Sequence, residues 1–288
     1  MYYPYFRGKQ YDLLALRALI EAKRLSKKVQ PIIEPVKNSP TFMKFLDVVH
    51  QADHPLFVIQ NPQAGAFLTE TGLATLQQIP HRKAMILEQP LETLDNPSEL
   101  LIVHQAAPAL VSDWQQANQK TLVPNEFRVL QKIQGERILM EDVFTRLPRT
   151  QFYQELPDEV FSRTHQTFAQ RGFVGFSDFS IDSKIYYEHG YPATVLSLHL
   201  VYFEADILRI HHFLSLEDLP SQKEKFLVMM EEVCTWAERL CGEQLTLGLS
   251  LLIDNAQREK FPGMGVMRKA AVMHHMELMS RYLEEGKE

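Results

Sequence analysis

Short, nearly continuous apolar runs alternate along this chain with stretches whose apolar residues recur at helical spacing. Eight of the runs predict strands: Tyr2 to Phe6, Val29 to Val36, Leu56 to Asn61, Lys83 to Glu88, Leu100 to His104, Thr121 to Pro124, Arg137 to Glu141 and Phe173 to Asp178. Helical spacing predicts helices between them, over Gln10 to Leu25, Thr41 to Gln51, Ala66 to Gln78, Pro108 to Gln119 and Asp158 to Gln170. Such alternation is the signature of parallel strands joined by crossover helices. Runs such as Pro-Ile-Ile and Ala-Met-Ile-Leu lack a polar alternate, as expected of strands covered by helices on one side and facing a packed interior on the other.

The count of eight, and the lack of a Gly-rich G-x-G-x-x-G turn after the first strand, favour a closed (β/α)8 TIM-like barrel over an open doubly wound sheet. Beyond the eighth run the pattern changes. Ala193 to Phe203 and Ala205 to Leu214 predict an added β-hairpin, and Ser221 to Cys241, Leu245 to Glu259 and Met264 to Glu285 predict C-terminal helices. Phe-Pro-Gly-Met-Gly, beginning at Phe261, breaks the chain before the last of them. The reading is one domain over 1–288, with barrel strands and helices in 1–180 and the hairpin and helical extension in 181–288.

Composition changes this picture little. A chain of 288 residues with 45% hydrophobic and 23% charged residues can bury one sizeable core. No window approaches the run of about 18 apolar residues that a membrane span needs, and the opening MYYPYFRGKQ lacks the charged, apolar and small-residue regions of an export signal. The expectation is a cytoplasmic protein with no membrane partner. Cys234 and Cys241, seven apart in a predicted helix, read as buried thiols rather than a disulfide. A net charge of -6 argues against a surface that binds nucleic acid throughout, and leaves room for a local basic groove.

In such barrels chemistry sits at the C-terminal ends of the strands. The residues ending each run are Arg7 and Lys9 after the first, Glu34 at the second, Gln60 and Asn61 at the third, and Glu88 at the fourth. His104 ends the fifth, Asn125 follows the sixth, Glu141 and Asp142 end the seventh, and Ser177 and Asp178 end the eighth. Glu34, Glu88 and Asp178, with Glu141, would suit a hard divalent metal such as magnesium or manganese. His104, with Glu141, would supply proton transfer, while Arg7, Lys9 and Asn61 would hold a phosphate or carboxylate. Each of these residues can also simply end a strand or cap the next helix.

The histidines at 199, 211, 212, 274 and 275 carry no chelating pattern, since adjacent residues on a strand face opposite ways and on a helix stand about 100° apart. Hydrogen-bonded core imidazoles are the expectation there. Gly-Phe-Ser-Asp-Phe-Ser, Gly175 to Ser180, lacks the second glycine of a nucleophile elbow. Arg209 and Lys184 among Tyr186, Tyr187, Tyr202 and Phe203 offer the elements of a nucleic-acid groove, which core packing explains equally well.

The opening Tyr-Pro-Tyr-Phe-Arg-Gly-Lys-Gln-Tyr-Asp-Leu-Leu-Ala-Leu, the Pro-Ile-Ile-Glu-Pro-Val beginning at Pro31, and the late Phe-Pro-Gly-Met-Gly and Met-His-His-Met-Glu-Leu resemble an uncharacterised bacterial family similar to the Beta protein group. The resemblance spans both ends of the chain. It implies a phage-related or anti-phage gene neighbourhood, and with it a nucleotide or nucleic-acid substrate or a second protein from that neighbourhood as partner. Taken with the strand-end residues, the expectation is a metal-dependent phosphoester hydrolase in antiviral defence. Its rival is a non-catalytic barrel scaffold that binds a partner protein.

Overall fold

A computed structural model describes residues 1–88, 98–103, 120–133, 135–185, 194–241 and 245–286. Eight parallel strands form one sheet in the order β1 (Tyr5–Phe6), β2 (Ile32–Ile33), β3 (Phe57–Ile59), β4 (Arg82–Ile86), β5 (Leu100–Ile102), β6 (Lys120–Pro124), β7 (Arg137–Met140) and β9 (Gly175–Ser177). The sheet closes on itself. Tyr3 N donates to Phe176 O and Tyr5 N to Asp178 O, both at 2.8 Å, and Tyr2 bridges Phe176 in parallel. Every strand coincides with one of the eight predicted apolar runs, and the fold is the TIM-like barrel that the count implied.

Alternation along each strand divides the core in two. Tyr3, Tyr5, Ile32, Ile59, Ile86 and Ile102 point inward and fill the barrel with its own side chains. The alternate residues, Tyr2, Phe6, Ile33, Val58, Leu101 and Leu139, face out into the layer under the helices. Each large apolar side chain wholly buried in this way contributes about 2 kcal/mol.

The helices α1 (Gln10–Glu21), α2 (Pro40–Gln51) and α3 (Glu70–Gln77) follow the first three strands. Ser39 Oγ caps α2 by accepting from Phe42 N at 3.3 Å, with Pro40 at its first position, and Thr69 Oγ1 caps α3 by accepting from Gly72 N at 3.1 Å. In α1 the apolar stripe Leu13, Leu16, Leu19 and Ile20 is buried against the barrel. The predicted helix over Pro108 to Gln119 lies outside the described residues. Short turns α4 (Phe127–Leu130) and α5 (Thr164–Thr167) follow later strands.

One predicted element is corrected. Asp158 to Gln170 is not a helix: Asp158–Ser162 is strand β8, followed by the single turn α5. It pairs antiparallel with β11 (Ile207–Leu214), which pairs with β10 (Ser197–Glu204), in a separate three-stranded sheet ordered β10-β11-β8. The hairpin turns at Ala205 and Asp206, with φ of 48° and 63°, the left-handed pair that matches strand twist. The hairpin itself was legible in the sequence.

Helices α6 (Gln222–Cys241), α7 (Leu247–Gln257) and α8 (Met264–Glu284) follow the hairpin, as expected. α8 packs on α1, α7 and β10. Met267, Met273, Met276 and Met279 are buried in that packing, so the Met-rich helix is core. Among the described residues no helix is long and apolar enough to cross a membrane.

Candidate functional site

The C-terminal ends of the barrel strands gather Arg7, Glu34, Asn61, Glu88 and Asp142 at one mouth. Parity decides which residues reach it. On β2, Ile32 points inward and Ile33 outward, so Glu34 turns in. It is 4% exposed, and both its oxygens are engaged: Oε2 accepts from Tyr5 Oη at 2.8 Å and Oε1 from Gln63 N at 2.7 Å. Arg7 Nε stands 3.8 Å from Glu34 Oε2, and the guanidinium lies 5.8 Å from the centre of the Phe179 ring and donates to Lys184 O. Gly8, at φ +54°, takes the left-handed turn that carries the chain from β1 into α1 beside the Glu34 carbonyl. Glu34 therefore holds Arg7 in place rather than presenting a free carboxylate.

On the neighbouring strands Asn61 Nδ2 donates to Ile86 O at 2.8 Å and to Glu88 Oε2 at 3.1 Å, and its Oδ1 accepts from Ile86 N at 2.8 Å. Asn61 thus clips β3 to β4 and orients the exposed Glu88. His104 lies outside the described residues.

Glu141 and Asp178 do not join this group. On β7, Leu139 packs in the outer layer and Met140 against the barrel interior, which turns Glu141 outward and Asp142 inward. Glu141 accepts from Asn125 Nδ2 at 3.2 Å, Arg171 Nη1 at 3.3 Å and the Thr164 hydroxyl, outside the wall. Asp178 follows the outward-facing Phe176 parity and is 4% exposed. Its Oδ1 accepts from Tyr2 Oη at 2.6 Å and Ser180 N at 2.7 Å. Burial pushes the Asp178 carboxyl up to about 6, against those two hydrogen bonds and helped by the charges of Asp142 and Glu141. The four carboxylates expected to share one metal are therefore split between two sides of the barrel wall. Among the described residues no group of three or more His, Cys, Asp or Glu side chains is placed to hold a metal ion.

Of the two acids that end the seventh predicted run, Asp142 is the one that reaches the mouth. Its Oδ2 accepts from Lys184 N at 3.3 Å. The side chain is open to water on one side and crowded by protein on the other, and this partial burial raises its pKa. The Lys184 N–H and the charges of Lys184 and Arg7 oppose the rise, while Asp182 adds to it. A carboxyl lifted in this way beside an arginine is a candidate for proton transfer.

Lys9 points elsewhere than expected. Its Nζ donates to Asp182 Oδ2 at 2.8 Å, which also accepts from Arg268 Nη2 at 3.0 Å, and Arg268 clamps Asp12 at 2.7 and 3.0 Å. This network ties α1, α8 and the segment after β9 together. Burial alone would raise the Asp182 carboxyl, but Arg268 and Lys9 bring it below the usual range. The cavity between Arg7, Asp182, Arg268 and Phe179 is only about 10 Å³, room for no more than one water molecule.

His212, His274 and His275 are buried core groups, as their spacing implied. His274 Nε2 donates to Val201 O at 2.7 Å, and its Nδ1 lies 2.8 Å from Thr246 Oγ1. Burial holds His274 down to about 4. Ser180 Oγ pairs with His275 Nδ1 at 2.8 Å, yet both are buried, at 1% and 0% exposure, which suits packing rather than nucleophilic attack. His199 and His212 are a direct cross-strand pair with Nδ1 atoms 2.7 Å apart, a contact that only strand register creates. Of the residues suggested for an aromatic groove, Phe203 stacks on Tyr282 at 4.8 Å, Arg209 Nε donates to Asp158 Oδ1 at 2.9 Å and to Tyr202 Oη at 3.1 Å, and Tyr186 and Tyr187 lie outside the described residues.

No family model matches this chain, and no curated protein or solved structure matches it.

Proposed function

We propose that the barrel mouth binds and hydrolyses a phosphate-containing substrate, with Arg7 holding the phosphate and Asp142 moving the proton. The observation that carries this reading is the Arg7 guanidinium, fixed between Glu34 and Phe179 at the C-terminal end of β1, with a carboxyl of raised pKa nearby. A planar guanidinium suits two phosphate oxygens at once, and orienting it in advance lowers the entropy lost on binding. Glu34 is a positioning residue in this scheme. Glu88, oriented by Asn61 at the ends of β3 and β4, is the carboxylate that would take magnesium or manganese, with substrate oxygens completing the shell. The resemblance to the Beta protein group supports placing such an activity in anti-phage defence, with a nucleotide or nucleic acid as substrate.

The test is a screen of nucleotides and phosphodiesters with and without magnesium, followed by Arg7→Ala and Asp142→Asn. Arg7→Ala is expected to weaken binding about 10- to 100-fold, the size of a lost charge-assisted hydrogen bond. Asp142→Asn is expected to lower kcat with little change in KM. An activity that both variants retain in full would sink the assignment. A specific observation also supports the scaffold reading: Phe152 and Leu216 are 46% and 61% exposed on segments joined by Gln151 Nε2 donating to Glu217 Oε2 at 3.0 Å. Exposed apolar side chains on joined segments are where a partner protein would dock, and capture of a protein from the same gene neighbourhood by the inactive chain would favour this reading.

A further inference from the structure

The opposite face of the barrel holds a cavity of about 420 Å³, within the size range of small-molecule sites. It opens beneath the N-terminal ends of β2, β3 and β4. Gln30 leads into β2, His54 and Leu56 into β3, and His81 and Arg82 into β4, while His50 and Asp53 come from the end of α2 and Lys27 from the turn before β2. In a barrel this face usually serves stability alone, so a polar recess here calls for its own reason.

Its chemistry favours an anion. Lys27 and Arg82 each stand beside one carboxylate, Lys27 Nζ 2.9 Å from Asp53 Oδ2 at the exposed rim and Arg82 near Glu99 just outside the lining, so the further groups that can meet an anion are the imidazoles of His50, His54 and His81. Arg82 is held against the wall, its guanidinium 5.6 Å from the centre of the Phe57 ring, with Nη1 3.5 Å from Gln30 Oε1 and Nε 3.6 Å from Glu99. His54 Nε2 lies 2.9 Å from Val29 O. A carbonyl only accepts, so Nε2 carries the proton and the neutral ring keeps Nδ1 as its second site. His50 and His81 stand edge to face with ring centres 6.5 Å apart. The walls thus combine two cations, an amide and three imidazoles.

We infer that this cavity is a second ligand site, distinct from the mouth, that takes a small phosphate monoester. A phosphate dianion presents three oxygens to several donors and draws protons onto nearby imidazoles, which a single carboxylate does less well. Without ligand, burial holds His54 and His81 below the ordinary imidazole range; the charge of Lys27 adds to this at His54 and that of His50 at His81. A bound dianion reverses that pressure and raises both.

The test is an NMR titration of the histidine ring protons of the full chain with inorganic phosphate and with glycerol phosphate, against chloride and acetate at matched ionic strength. Saturable shifts of His50, His54 and His81 with both phosphates, and a rise in the His54 and His81 pKa values, are expected. Arg82→Ala and Lys27→Ala, both at solvent-reached positions, should each weaken binding about tenfold without lowering Tm by more than a degree or so. Arg7→Ala should leave the shifts intact, which separates this site from the mouth whether or not the mouth is catalytic. Equal shifts with chloride or acetate, indifference to Arg82→Ala, or loss of the shifts in Arg7→Ala would each overturn the inference.

Discussion

Replacing Asp178 with asparagine separates a carboxylate that serves chemistry from one that the fold merely tolerates. In the native chain Oδ1 alone accepts both hydrogen bonds, from Tyr2 Oη and Ser180 N. Asparagine keeps that oxygen and removes the buried charge. Asp178 is raised from the usual 3.8 to about 6, mainly by burial. Each pKa unit is worth about 1.4 kcal/mol, so ionising it in the folded state costs about 3 kcal/mol at neutral pH. The sign follows from proton uptake. Between pH 4 and 6 the folded chain holds this proton and the unfolded chain does not, so the contribution to stability is full below 3.8 and is lost as pH rises through about 6. Asp178→Asn is therefore expected to be more stable than the native chain at pH 7, by up to about 3 kcal/mol less the cost of seating the new amide N–H₂. That difference should shrink toward pH 4. Urea unfolding of both chains at pH 4, 5, 6 and 7 measures it. A variant destabilised equally at every pH would refute the reasoning, and stoichiometric metal lost with Asp178→Asn would restore Asp178 as a ligand.

Two further predictions concern the packing that holds the helical ring. Gly248→Ala places a Cβ 2.1 Å from Ala270 O and 2.7 Å from His274 N, both backbone atoms of α8; α7 must move away, and a loss of about 3 kcal/mol is expected in thermal or urea unfolding. An unchanged midpoint would mean that the α7–α8 contact is looser than described. Arg268→Met leaves Asp12, 2% exposed at its side chain, without its bidentate partner, and is expected to cost about 3 to 5 kcal/mol at neutral pH. Because Arg268 and Lys9 lower the Asp182 carboxyl, the stability it contributes is present above the ordinary 3.8 and is lost as pH falls through the lowered value. The variant should therefore differ least from the native chain under acid conditions, and a cost independent of pH would count against the ion network.

The sequence by itself determined the eight barrel strands, the hairpin and the three C-terminal helices. Those elements are long enough, or repeat often enough, for local apolar spacing to specify them. It also determined that Arg7, Glu34, Asn61 and Glu88 end strands on the side where barrel chemistry occurs. Inside and outside were left to the tertiary structure. In runs such as Arg-Ile-Leu-Met both faces of the strand are buried, one by the barrel interior and one by helices, so no polar alternate marks the inward side. That ambiguity put Glu141 and Asp178 into the mouth on paper and left Asp142, named among the strand-end residues, without a role. Strand β8 was misread for a related reason. Asp-Glu-Val-Phe-Ser has no strong local preference, and it is extended because β11, some fifty residues later, offers its edge. The His199–His212 pair, the Asp12–Arg268–Asp182 clamp and the cavity beneath β2 to β4 likewise join residues far apart in the chain. No spacing rule reaches them, because closure of the barrel and register between distant strands bring them together.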